Sequence, residues 1–243
     1  MKKWQIIFAS VLGTVLLFTA TAFSYKQINR DTLKGNFAKV QNKEKVRFIS
    51  ALEVQDLVRK EYPQLLKKKR EEINIYLLEE SLAKHPAVAN AEVYSTINGR
   101  LHAKIVQRVP VLRFNSSLSS YYLDKNAHKM PLSSTFTASV PLVTGGLRGQ
   151  EKEACQLFSY IKSDPIYQNW FTGLHIQDPN HWTLYSKIGA KKVHLGSPKN
   201  YQHKLAKLKI FYSKAISKEQ RATLASINLK YQDQVICKRH PKK

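Results

Sequence analysis

The sequence predicts an α+β protein with three parts: an N-terminal transmembrane helix, a small domain ordered strand, helix, helix, strand, strand, and a larger, mostly antiparallel β domain with one or two packed helices. Three observations predict this class. An uncharged segment stands near the N-terminus, two amphipathic helical patterns precede an alternating hairpin, and strand patterns dominate the second half. The predicted divisions are 1–28 for the cytoplasmic tip and transmembrane helix, 29–113 for the small domain and 114–243 for the β domain.

The uncharged segment predicts a membrane-spanning helix. No charged residue occurs from Trp4 to Tyr25, and these 22 residues would measure about 33 Å as a helix, which is enough to cross a bilayer. Its aromatic ends and flanking lysines are typical of membrane interfaces. A cleavable signal is the alternative, because Ala20 and Ala22 form a small-x-small site. Both interpretations place the large part of the chain outside the cytoplasm.

The charge of the chain is strongly positive and uneven. The net charge is +23, from 40 Lys and Arg against 17 Asp and Glu, and residues 154–243 alone carry +12. Such a surface suits nucleic acid, anionic lipid headgroups or an acidic protein. The basic runs Lys67–Arg70 and Lys238–Lys243 lack the interleaved aromatic residues of a nucleic-acid stacking platform. They therefore favour a solvated basic face near an anionic membrane, with a secreted nucleic-acid-binding protein as an alternative.

Two short helices are predicted in the small domain, after a weak strand. Ser50 and Glu53 have the spacing of a capping box, and Asn74 can cap the second helix. Pro63 and Pro86 lie just beyond the two helix ends. Each helix has one apolar face, formed by Val54, Leu57 and Val58 in the first and by Ile75, Leu78 and Leu82 in the second.

The segment after the second helix predicts a hairpin whose loop length is set by its apolar residues. A two-residue Asn98-Gly99 loop would pair Val93 with Lys104 and split the apolar side chains between two faces. A three-residue loop that includes Arg100 restores one apolar face and predicts positive φ at Gly99 or Arg100. The predicted pairs are Val93 with Ile105, Ser95 with Ala103, and Ile97 with Leu101.

The second half of the chain is predicted to form the β domain. A hairpin is expected around Asp124–Ala127, then a strand closed by two glycines, a helix near Glu151–Ile161, and a strand pair within 181–196. The next helix is predicted to have Ser197 as its cap. Its apolar stripe, which is typical of core packing, consists of Tyr201, Leu205, Leu208, Tyr212 and Ala215.

These patterns resemble the FtsQ/DivIB cell-division family. Residues 73–114 are similar to its POTRA module, "YYLDKNAHKMPL" and "VPLVTGG" to the start of its β domain, and "INLKYQDQVICKR" to its closing strand pair. Ala127 stands where the family usually has Gly, and Asn126, which tolerates positive φ, can take the turn instead. The residues that match the POTRA framework are Ile73, Asn74, Leu78, Glu79, Leu82, Pro86, Val88, Ala91, Val93, Leu101, Arg108, Pro110 and Val111.

The C-terminal strand is the strongest candidate for an open sheet edge. It is predicted over Gln234–Lys238, and no later strand follows to cover it. An extended partner segment could add to this edge through main-chain hydrogen bonds. Lys238 and Arg239 would discourage indiscriminate pairing and favour an acidic partner. The alternative is a strand that is paired on both sides.

The resemblance implies a non-enzymatic division-site scaffold. Its β domain would bind the FtsB and FtsL pair through its final strands, a role that falls on Tyr231 and also on Gln234, Val235 and Ile236. The implied location is the inner membrane, as a single-pass protein with its large domain in the periplasm and enriched at the division site. A POTRA-containing secretion or outer-membrane assembly factor is the alternative.

Residues with catalytic or metal-binding potential are sparse in the sequence. The nearest metal-ligand grouping is His175, Asp178 and His181, whose spacing does not place them on one helix face. Cys155 lacks a motif for nucleophilic catalysis, so a cysteine hydrolase is a minor alternative. Cys155 and Cys237 could form one disulfide or remain two separate thiols. We therefore predict no cofactor, no metal and no small-molecule substrate.

Overall fold

The computed structural model describes residues 2–28, 37–41, 46–63, 73–96 and 101–241. Its N-terminal helix, α1 (Lys2–Ile28), contains an 18-residue stretch, Ile7–Ser24, that is long and apolar enough to cross a membrane. The side chains of this stretch are exposed. Hydroxyl groups inside it, such as Thr14 Oγ1 to the Val11 carbonyl at 2.8 Å, donate to backbone oxygens three or four residues earlier. These bonds satisfy the hydroxyl donors locally, as a lipid environment requires.

The chain divides into two compact units, Met1–Gln107 and Arg108–Lys243. The predicted division between residues 113 and 114 falls within a strand of the second unit, because that strand spans Pro110–Asn115. After α1, the elements of the first unit are β1 (Ala38–Gln41), α2 (Ala51–Glu61), α3 (Ile75–Ala83), β2 (Val88–Ser95) and β3 (Leu101–Gln107). The strand order is β1–β3–β2, with β1 parallel and β2 antiparallel to β3. This is the predicted order of strand, helix, helix, strand, strand.

Local side-chain hydrogen bonds define the ends of the helices in the first unit. Ser50 Oγ accepts from the Glu53 amide at 3.1 Å while Glu53 Oε2 accepts from the Ser50 amide at 2.6 Å, which confirms the capping box. Asn74 Oδ1 accepts from the Leu77 amide at 3.2 Å. Of the predicted apolar faces, Val54, Val58, Leu78 and Leu82 are buried. Such caps contribute about 1 kcal/mol each, and helix–sheet packing contributes the larger share.

The hairpin register differs from the prediction by two residues. Val93 pairs with Ala103, Ala91 with Ile105 and Ser95 with Leu101. A shift of two residues returns every side chain to the same face of the sheet, so the apolar pattern does not distinguish the two registers. The structure thus keeps the predicted apolar face but not the predicted pairs. The predicted positive φ at Gly99 or Arg100 lies outside the described residues.

The second unit contains a nine-stranded mixed sheet. Its strands are β4 (Pro110–Asn115), β5 (Ser120–Asp124), β6 (Lys129–Met130), β7 (Leu142–Gly145), β8 (Phe171–Asp178), β9 (His181–Ser186), β10 (Lys192–Gly196), β11 (Leu224–Asn228) and β12 (Ile236–Arg239). The strand order is β12–β11–β10–β9–β8–β7–β4–β5–β6. Five of the neighbouring pairs are antiparallel and three are parallel, namely β11–β10, β8–β7 and β7–β4. The prediction of a mostly antiparallel β domain is therefore confirmed.

The helices of the second unit are α4 (Glu151–Ser163), α5 (Tyr201–Ile210) and α6 (Lys218–Ala222), with a π-helical turn at Phe211–Ala215 after α5. One apolar core contains buried residues of α4, α5 and the central strands. Leu205, Leu208 and Tyr212 are buried in it, which confirms core packing for these three residues of the predicted stripe. Tyr201 is half-buried, and Ala215 is exposed, so the prediction is wrong for Ala215. Burying each large apolar side chain contributes about 1.5–3 kcal/mol, so this core dominates the stability of the unit.

Two local predictions in the second unit are wrong. Helix α5 begins at Tyr201 rather than after Ser197, and it follows Asn200, which has φ of 56° and no side-chain cap. The turn after β5 places Ala127 itself at φ of 63°, and Asn126 does not take the positive φ. Around that turn, the Asp124 carboxylate accepts from the amides of Asn126 and His128, both at 2.9 Å. These bonds fix the turn strongly enough for an alanine to occupy the left-handed region.

Candidate partner-binding edge

Strand β12 forms one edge of the nine-stranded sheet. It pairs antiparallel with β11, placing Ile236 opposite Asn228, Cys237 opposite Ile227 and Lys238 opposite Ser226. Within the described part of the chain, no strand lies on its other side. The predicted alternative, a strand paired on both sides, is therefore not what the structure shows.

The backbone groups that face away from β11 can be identified from the hydrogen bonding. The His240 amide donates to the Thr223 carbonyl at 3.0 Å, so the backbone groups of His240 face β11. Inward and outward groups alternate along an antiparallel strand. The amides and carbonyls of Cys237 and Arg239 therefore face the open side of β12. An added strand would find its main-chain partners at these two residues.

The side chains of β12 divide between the two faces of the sheet. Cys237 is half-buried and packs against the apolar core, whereas Ile236 is 47% exposed. The side chains of Lys238 and Arg239 are exposed. A strand beside β12 would meet one apolar and two basic side chains.

The loop between β11 and β12, residues 229–235, contains three of the four predicted partner-binding residues. Tyr231 is 54% exposed, and Gln234 is exposed. Val235 is half-buried and packs against the core. The strand itself starts only at Ile236, so the predicted strand start at Gln234 is wrong by two residues. The structure places the four predicted residues along one stretch that leads into the open edge.

A basic cavity of about 460 Å³ lies beside Tyr231. None of the residues that line it is acidic. Burial, and then the nearby Lys207, lower the pKa of Lys204 from its usual value. The sequence signal for this cluster is the i, i+3 spacing of Lys204 and Lys207 beside the apolar stripe of α5. The basic side chains in the lining are Lys199, His203, Lys204, Lys207 and Lys230.

The two cysteines are free thiols. Cys155 is fully buried in α4, and burial, supported by the nearby Asp124 carboxylate, raises the pKa of its thiol to about 12. Burial also raises the pKa of Cys237. A nucleophilic cysteine requires the thiolate, which both environments disfavour. The geometry therefore does not support the cysteine hydrolase alternative.

Of the nearest metal-ligand grouping in the sequence, two residues contact each other and the third has a different partner. His181 Nδ1 lies 2.8 Å from Asp178 Oδ2, and His175 Nδ1 lies 3.0 Å from Thr144 Oγ1. The part of the chain that the structure describes contains no group of three or more His, Cys, Asp or Glu residues that could hold a metal ion. Asp178 and His181 therefore form a pair, and His175 does not join them in a three-ligand site.

Two family models match the chain. The model described as FtsQ/DivIB, C-terminal related, matches residues 109–238, which is more than half of the chain. The model of a POTRA-like domain matches residues 37–106. These ranges fall within the two compact units. Among curated proteins, no match was found.

Proposed function

The chain belongs to the FtsQ/DivIB family of division-associated scaffold proteins, and from this premise we propose that it is a non-enzymatic, membrane-anchored scaffold that recruits a FtsB/FtsL-type pair to the division site. The open edge of β12 is the observation that supports this proposal best. A partner strand would pair with the outward backbone groups of Cys237 and Arg239, while Tyr231 and Ile236 would contribute exposed apolar surface beside it.

The basic surroundings of this edge favour an acidic partner segment. Lys238 and Arg239 are exposed at the edge itself, and the lysine-lined cavity adjoins Tyr231. Such complementarity increases the association rate and selects against basic partners. Tyr231, which is exposed beside this edge, is the side chain whose loss should weaken binding most, because exposed aromatic residues are frequent interface anchors.

Substitution of Tyr231 tests the proposed surface. The Tyr231→Glu protein should lose at least tenfold in affinity for the FtsB/FtsL-type pair encoded by the same genome, measured with full-length protein in detergent micelles. Tyr76, which is 70% exposed on α3 of the first unit, provides the control, and Tyr76→Glu should bind normally. Unaltered affinity of Tyr231→Glu would place the partner site elsewhere.

A proline substitution tests strand addition separately from the tyrosine. The Arg239 amide faces away from β11, so Arg239→Pro should remove a donor to the partner strand while leaving the β11–β12 pairing in place. Lys238→Pro should instead disrupt that pairing, because its amide faces β11. Loss of binding in Arg239→Pro together with an unchanged unfolding midpoint supports addition at this edge. Normal binding by Arg239→Pro contradicts it.

The membrane topology is part of the same proposal. Helix α1 would remain uncleaved as the single anchor, with the part of the first unit that follows α1 and the whole second unit in the periplasm. In spheroplasts, an external protease should degrade the C-terminal units, and the purified protein should retain its N-terminal residues. Protection of these units, or a mature N-terminus after Ala22, would contradict the proposed topology.

A further inference from the structure

The ammonium group of Lys207, on α5, contacts the loop that carries Tyr231. Lys207 Nζ donates to the backbone carbonyl of Tyr231, to that of Gln232 at 2.8 Å and to that of Gln234 at 3.4 Å. An ammonium has three N–H donors, and all three are directed at this one loop. Lys207 is half-buried, and contact with three carbonyl oxygens gives its ammonium group a defined position that a freely solvated surface lysine lacks.

This arrangement fixes the shape of the loop between its two strands. At the start of the loop, Asn228 Oδ1 accepts from the Lys230 amide at 2.9 Å. At its end, Val235 packs against the core. Between these points, the contacts of Lys207 turn three carbonyls towards α5 and leave the Tyr231 ring exposed. Without the ammonium, those carbonyls would turn to water and the loop would sample more conformations.

We propose that Lys207 is a positioning residue, which holds the loop in the shape that presents Tyr231 and the beginning of β12 to an added polypeptide strand. This inference rests on the function proposed above. If removing the ammonium lowers the fraction of molecules with a binding-competent loop to about one tenth, the apparent Kd rises about tenfold. The partner need not contact Lys207 for this effect.

Helix α5 offers a matched control two residues further on. Lys209 is exposed, and Lys209→Met removes the same charge from the same helix without touching the loop. Lys207→Met keeps the length of the side chain but removes its donors, and Lys207→Arg keeps a cation with several donors. Any difference between Lys207→Met and Lys209→Met therefore reports the contacts with the loop rather than the net charge.

The experiment measures two quantities on full-length protein in detergent micelles. Amide hydrogen exchange over residues 230–236 in the free protein should become at least tenfold faster in Lys207→Met, while the thermal unfolding midpoint stays close to that of the unmodified protein. Affinity for the FtsB/FtsL-type pair should fall about tenfold. Lys207→Arg should restore most of both quantities, and Lys209→Met should match the unmodified protein.

The outcomes separate this inference from the function on which it rests. Unchanged loop exchange in Lys207→Met overturns the positioning role, whatever the affinity. Faster exchange with unchanged affinity also overturns it, provided that Tyr231→Glu weakens binding in the same assay. If Tyr231→Glu binds normally as well, the proposed partner site has failed, and the loop exchange alone still decides whether Lys207 fixes the loop.

Discussion

Asp124 is a nearly buried carboxylate, 5% exposed, at the end of β5. It accepts a hydrogen bond from Arg108 Nη1 at 2.8 Å in addition to the two turn amides described above. Burial alone would raise the pKa of Asp124, but the His128 amide, Arg108 and the Asn126 amide together hold it below its usual value. The carboxylate is therefore needed in its charged form, because three donors depend on it.

The loss of this charge should be visible in the stability of the β domain. A carboxyl group whose folded pKa lies below its unfolded value, about 3.9, stabilises the fold above that pH and loses its contribution as the pH falls through the folded pKa. At pH 7, Asp124→Asn should lower the free energy of unfolding by about 2–3 kcal/mol, because it leaves Arg108 unpaired. The difference should shrink below about pH 4.

Urea unfolding followed by tryptophan fluorescence measures the free energy of unfolding at each pH, and the exposed Asp233→Asn provides the control. A difference that persists at low pH would contradict the assignment.

The Cys155 thiol also illustrates how its environment determines the reactivity of a residue. With its pKa raised to about 12, it should resist alkylation by iodoacetamide at pH 8 in the folded protein, while Cys237 reacts slowly. Cys155→Ala should cost about 1–2 kcal/mol of stability from the lost packing and leave partner binding intact. Mass spectrometry of labelled peptides measures the alkylation, urea unfolding measures the stability, and the binding assay measures the affinity. Rapid labelling of Cys155 would be inconsistent with its burial.

At the scale of elements, the end of β7 depends on a glycine for a steric reason. Gly145 has φ of 90°, and a Cβ there would lie 2.1 Å from the Ile176 carbonyl oxygen of the neighbouring strand. Gly149, four residues later, has φ of 77° but open space around its Cβ position. The two glycines therefore have the same backbone requirement but different packing.

Alanine substitution at these two glycines distinguishes the cost of backbone strain from the cost of a clash between strands. Gly149→Ala should cost about 1–2 kcal/mol, the cost of a side chain in the left-handed region. Gly145→Ala should cost more than about 3 kcal/mol, because β7 and β8 must also move apart. Thermal unfolding of the two variants measures the difference. Equal losses of stability in the two variants would mean that the β7–β8 pairing accommodates the extra carbon without strain.

Sequence patterns predicted the elements better than their registers and boundaries. The capping box of α2 and the buried stripe of α5 follow from local spacing, which the sequence displays directly. The hairpin register does not follow, because a two-residue slip preserves the apolar face. The start of β12 at Ile236 rather than Gln234 depends on contacts of the loop with α5, which join residues far apart in the chain. The spacing of Lys204 and Lys207 indicates a basic cluster, but the sequence does not show that Lys207 contacts this loop.

At the scale of the whole molecule, the positive charge and the open edge act together. The net charge of +23 would attract any acidic partner over long distances, but only the charges near β12 act on the final alignment of a partner strand. Lys238 and Arg239 are exposed at that edge. Reversing charges at β12 should therefore slow association more than reversing the same number of charges elsewhere on the surface.

Charge reversal at two positions distinguishes these contributions. Lys238→Glu with Arg239→Glu should slow association with the FtsB/FtsL-type pair by about tenfold at low salt, and the loss should largely disappear in about 0.5 M NaCl, where screening is short-ranged. Lys152→Glu with Lys214→Glu changes the net charge equally through exposed lysines of α4 and the π-helical turn, and it should slow association only about twofold. Stopped-flow binding at both salt concentrations measures the rates. Equal slowing by the two pairs would attribute the steering to net charge alone, and unchanged rates in the edge variant would contradict an acidic partner at β12.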